Sequence, residues 1–147
     1  RQTFYRNFLD KYDLINWYFD KLLLKSFEHM GEGTTVYDGL VKKFEYLKEE
    51  HLFFAAAVRS DDQNCLKEHD FELILEFYSN LIFQKTGRRP DAETSFLLEM
   101  YCRGSIYMTV KWLLGGMNFP PAQLAKQLVL GMPEKLVQLF TDLHILS

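Results

Sequence analysis

The chain has 147 residues, one domain's worth, and its 48% hydrophobic and 25% charged composition supplies a sizeable core, which excludes a disordered polypeptide. A net charge of −3 argues against a general polyanion binder. Two cysteines exclude a secreted disulfide framework and point to a reduced, cytoplasmic setting, while the longest apolar run, residues 52–58, is far too short to span a bilayer.

Residues 3–14 place Thr3, Phe4, Tyr5, Phe8, Lys11 and Leu14 at fixed spacing. Phe4 and Phe8 are four apart and share one helix face, so both can be buried. Arg1, Gln2, Tyr5 and Arg6 fall largely on the remaining surface, where such side chains suit phosphates and base edges. Asp10 is a good N-cap for a following helix that opens with Lys11, and a lysine at a helix N-terminus makes a natural phosphate seat.

Helical spacing of Leu14, Ile15, Tyr18, Leu22 and Ser26 carries that helix to about Met30, where glycines 31 and 33 stop it. Thr34 or Thr35 caps a second helix to about Lys48, with Tyr37, Leu40, Val41, Phe44 and Leu47 as its stripe. The next helix, about 49–59, is apolar on nearly every side and is expected in the centre of a bundle. A turn at residues 60–64 precedes a long helix from about Cys65 to Lys85, broken at residues 87–90. Asp91 caps a helix to about Leu114, closed by Gly115 and Gly116. Pro120 and Pro121 open another, and Gly131, Met132 and Pro133 kink or divide it before an amphipathic segment ending near Ile145. No strand pattern and no internal repeat is visible, so the predicted fold is all-α.

The segment at residues 3–14 resembles the end of the recognition helix, and the start of the next helix, in the TetR family of bacterial transcriptional regulators. A second stretch, Gly104 and Ser105 through Trp112, Leu113, Leu114, Gly115, Gly116 and Met117, followed by Pro120, looks like the C-terminal half of a TetR subgroup that includes dihydroxyacetone-kinase-operon regulators. The resemblance implies two parts: residues 1–10 as the end of a truncated helix-turn-helix, and residues 11–147 as a ligand-binding and dimerisation domain. It implies DNA contacts from Arg1, Gln2, Thr3, Tyr5, Arg6 and Lys11, operator DNA and a homodimeric mate as partners, and an unidentified small-molecule effector. The two helices that precede a recognition helix in the family are absent from the sequence, so the chain as given is not expected to bind DNA specifically.

Aromatics are abundant, with 13 Phe and 8 Tyr, which fits a bulky core or an aromatic-lined pocket. Trp17, Phe53, Phe54, Phe77, Tyr78, Tyr101 and Tyr107 are the candidates to line an effector pocket, since apolar walls with a few hydroxyls suit small ligands. Gly104, Val110, Leu113, Leu114, Leu124, Leu128, Leu136 and Phe140 are the candidates for the subunit interface, because two-fold DNA half-sites require a two-fold protein. Cys65 and His69, four apart on a helix, are a weak metal-ligand pair, and no metal or other cofactor is expected. No phosphate loop, nucleophile elbow or H-E-x-x-H supports an enzyme. The function expected is a ligand-responsive regulator, usually a repressor. The alternatives are a regulator acting through a protein partner without an effector, or a metal-responsive sensor.

Overall fold

A computed structural model describes residues 11–30, 32–60 and 65–146. They form seven helices: α1 (Lys11–Phe27), α2 (Val36–Glu49), α3 (His51–Arg59), α4 (Cys65–Thr86), α5 (Ala92–Leu114), α6 (Pro121–Leu130) and α7 (Glu134–Asp142). The all-α expectation is met, with no strand among the described residues. Arg1, Gln2, Thr3, Tyr5 and Arg6 lie outside the described residues, as do the side chains of Lys11 and Cys65.

Sequence-coded caps set most boundaries. At α2, the Thr35 hydroxyl accepts the Asp38 amide at 3.2 Å, and the Asp38 carboxylate accepts the Thr35 amide at 3.2 Å. This reciprocal pair satisfies two amides that the first turn leaves without helical partners. At α5 the Asp91 carboxylate accepts the Thr94 amide at 2.8 Å, a bond that holds its pKa below the usual value. α1 ends at Phe27, three residues earlier than its apolar spacing suggests, and the chain turns with the Met30 amide on the Phe27 carbonyl. Two helices close in the same way. After α5, Gly116 takes φ 94° and the Met117 amide reaches the Trp112 carbonyl. After α7, His144 takes φ 60° and the Ile145 amide reaches the Phe140 carbonyl. A left-handed residue there lets the next amide satisfy a last-turn carbonyl.

The core draws on every helix. α1 and α4 run in the same direction, with Asp20 against His69 and Phe27 stacked on Phe77. Phe27 also lies on Gly39 of α2, whose missing side chain permits the approach. α2 packs on α6, and α4 on α5. Tyr78 of α4 stacks on Phe140 of α7 at 5.6 Å between centroids. The chain closes on itself where the Val36 amide donates to the Ile145 carbonyl at 2.7 Å.

α3 departs from expectation. Phe54, Ala55, Ala57 and Val58 are buried, but Ala56 is exposed and Leu52 is 78% exposed, so α3 packs at an edge and not in the centre. An unbroken apolar run covers all faces of a helix, and only neighbouring helices decide which face is covered.

Candidate functional site

α5 and α6, with the loop between them, enclose an open groove of about 660 Å³. That size lies within the range of small-molecule sites. One wall is the α5 face bearing Met100, Gly104, Met108 and Lys111; the other is Leu124, Gln127 and Leu128 of α6. The loop end carries Asn118 and Phe119. Gly104 makes room here: a Cβ built on it would meet no atom within 4 Å, so its bareness opens space and does not serve packing.

The loop wall is held firmly. The Trp112 indole N–H donates to the Phe119 carbonyl at 2.9 Å, and Met117 sits at φ 52°, a conformation uncommon for a residue with a side chain. Across the floor, the Tyr101 hydroxyl donates to the Leu128 carbonyl, tying α5 to α6. Burial pushes the Tyr101 hydroxyl well above the ordinary tyrosine range, so it stays protonated and remains a donor. Ser105 lies close enough to influence that hydroxyl, but its own buried Oγ makes no hydrogen bond among the described residues. Thr109, one turn further on, instead returns its hydroxyl to the Ser105 carbonyl at 2.7 Å. Lys111 is the one charged residue of the lining, which contains no carboxylate.

Beside the groove, α5 presents Phe96, Met100, Tyr107, Met108 and Leu114 to solvent, and α6 adds Leu130. Phe96 is 66% exposed and Tyr107 68%. Residues 96, 100, 107, 111 and 114 fall at helical spacing, so they make one ridge along the groove's edge.

The aromatic candidates do not assemble into one cavity. Tyr101 lines the groove. Phe54 is buried against Phe19 and Phe53, and Phe53 also packs on Tyr18. Phe77 and Tyr78 pack on each other and on Phe27 and Phe140. Trp17 is partly exposed beneath the Lys21 ammonium, and Tyr107 stands on the outer ridge. Two voids inside the bundle measure only about 20 Å³ each, room for about one water.

Of the interface candidates, Gly104 and Leu114 reach the surface and Val110 is half-buried. Leu113, Leu124, Leu128, Leu136 and Phe140 are buried within the single chain. His69 holds Asp20 at 2.7 Å, and no group of three or more His, Cys, Asp or Glu among the described residues is placed to hold a metal ion. No helix among the described residues is long and apolar enough to cross a membrane.

Two features have no direct signature in the sequence. One is the buried pair of Lys43 and Asp70 at 3.5 Å, which joins residues far apart in the chain. The other is the groove itself, for which the glycine at 104 and the lone cation at 111 were the available signals.

A family model of the TetR class, described as a transcriptional regulator C-terminal region, matches residues 34–132. No curated protein and no solved structure matches the chain. The matched span runs from the cap of α2 to just past the end of α6, and so takes in the ridge and all of the groove's lining but Pro133. On that match, covering well over half of its length, the chain belongs to the TetR family of transcriptional regulators.

Proposed function

We propose that the protein is a homodimeric, effector-responsive regulator working in the cytoplasm, most simply a repressor. Its two copies meet across the α5 ridge and the groove that shares Met100 and Lys111 with it, and its effector acts by changing how the two copies are set. The observation that carries this reading is the ridge: five of the eleven large exposed hydrophobic side chains among the described residues stand on α5. An exposed face of that kind, apolar but for Lys111, is rare on a monomer and suits a self-complementary contact. Gly104, Val110 and Leu114 belong to the contact. Leu113, Leu124, Leu128, Leu136 and Phe140 support it from beneath.

Operator contact falls to Arg1, Gln2, Thr3, Tyr5, Arg6 and Lys11, delivered by α1. α1 is coupled to the bundle through Asp20 and His69 and through Phe27 and Phe77. An effector acts by favouring one relative setting of the two copies. Settings that misplace the two half-site readers lose base and phosphate contacts, and operator affinity falls.

Sedimentation equilibrium of the wild type and of Tyr107→Glu tests the reading. A wild-type dimer that dissociates at least about tenfold more readily in the variant is expected, since a carboxylate would be buried at the contact. A wild-type monomer at concentrations up to about 100 μM would sink it, because DNA half-sites need two subunits.

A regulator driven by a protein partner, without an effector, is the second reading. The small size of the interior voids favours it.

A further inference from the structure

We propose that the two copies lay α5 against α5 in antiparallel fashion, with the two-fold axis at the level of residue 102, so that Lys111 of each subunit meets Glu93 of the partner subunit. This rests on the reading of the protein as a homodimer and adds the residues that select the mate and fix its register.

The stripe is a property of the helix. Glu93, Leu97, Met100, Gly104 and Lys111 recur at spacings of three, four and seven, so they fall on one face of α5. All are exposed except Leu97, which is half-buried. The face carries an acid in its first turn, a base in its last turn, and apolar or bare positions between them.

Charge chooses the direction. Lys111 makes no ion pair among the described residues. Glu93 holds Lys135 at 3.0 Å, yet its side chain stays 73% exposed and its carboxylate has lone pairs left for a second cation. Two parallel α5 helices would set lysine beside lysine and glutamate beside glutamate, a costly arrangement. Reversing one helix about the midpoint of the two positions brings acid to base at both ends.

Shape agrees with that register. It sets Met100 against Gly104 of the partner subunit, and the contact occurs twice. A Cβ built on Gly104 would meet no atom within 4 Å, so a flexible thioether finds room over it. Leu97 then faces Tyr107 of the partner subunit, a ring 68% exposed in the single chain. Cys102 is 1% exposed and turned into the bundle, so the axis passes without a thiol contact. A crossing angle of about 20° keeps both ends close over the roughly 27 Å from residue 93 to residue 111.

Two measurements test the proposal. In sedimentation equilibrium, Lys111→Glu and Glu93→Lys should each raise the dimer Kd about tenfold, and the double charge swap should return to within about threefold of wild type. For register, Met100→Cys chains are mixed with Gly104→Cys chains, both in a Cys65→Ser, Cys102→Ala background, and oxidised. A disulfide needs Cα atoms within about 7 Å, so the unlike chains should link, as read by intact mass, with neither variant linking to itself at a comparable rate. Gly104→Cys chains linking to one another would move the axis to residue 104 and overturn the register while leaving the dimer. A dimer with no disulfide from any mixture would do the same. Single charge variants that dimerise as wild type does, or a double swap no better than either, would overturn the Lys111–Glu93 pairing. A wild-type monomer would overturn the proposal and the homodimer reading together.

Discussion

Lys43 of α2 and Asp70 of α4 face each other at 3.5 Å inside the bundle, their side chains 5% and 12% exposed. A buried ion pair repays little more than its own desolvation, whereas a single buried charge stripped of its partner is expensive. Lys43→Met alone should therefore cost about 3 kcal/mol in urea unfolding. The double variant Lys43→Met with Asp70→Leu should recover most of that loss. A double variant as unstable as the single one would mean that the pair, and not the orphaned carboxylate, carried the stability.

Gly39 offers a test of packing against propensity. Alanine there gains about 1 kcal/mol of helix propensity. Its Cβ, however, would stand 2.7 Å from the Met30 methyl and closer still to the Phe27 ring. Phe27 is buried and stacked on Phe77, so it has little room to retreat. Overpacking of this kind costs about 1–3 kcal/mol, and the net effect of Gly39→Ala should be destabilising. A variant more stable than wild type in chemical denaturation would show that α1 can shift away without loss.

Thr35→Ala removes one half of the reciprocal cap of α2. A loss of about 1 kcal/mol is expected, with the first-turn amides of α2 exchanging faster in hydrogen-exchange measurements. Thr35→Asn should retain most of the stability, because its side chain can accept the same amide.

Cys102 is 1% exposed, and burial pushes its thiol up to about 12. Because the folded-state value is raised, this group favours the folded protein below about pH 9, and that contribution fades as pH climbs toward about 12. At pH 8 in a Cys65→Ser background, a disulfide reagent should label Cys102 only as fast as the protein opens. Labelling as fast as that of a free thiol would place the sulfur within reach of solvent.

Local chemistry made much of the fold legible. Thr35 and Asp91 cap helices where their sequence contexts predict, and Gly116 ends α5 for the reason glycine usually ends a helix. What was illegible depended on partners distant in sequence. Leu52 is as apolar as Phe54, and only the placement of neighbouring helices leaves one in solvent and the other in the core. Phe54, Phe77 and Tyr78 read equally well as pocket or as packing, because helical spacing says that a face is covered but not by what. The groove is a space, created where α6 stands apart from the bare Gly104, and no pattern within either helix records that separation.

The bond from the Val36 amide to the Ile145 carbonyl has a consequence for biogenesis. α2 leaves the ribosome before α3 to α7, yet its opening amide finds its partner only after they have followed. Until then the N-terminal end of α2 and its apolar face stay unshielded, a state in which nascent chains are vulnerable to aggregation and engage chaperones. The domain is thus a late closer: the segment after α7 acts as a clasp, and a chain cut shortly before residue 145 would hold all its helices but stay open at the seam between α2 and the end of α7.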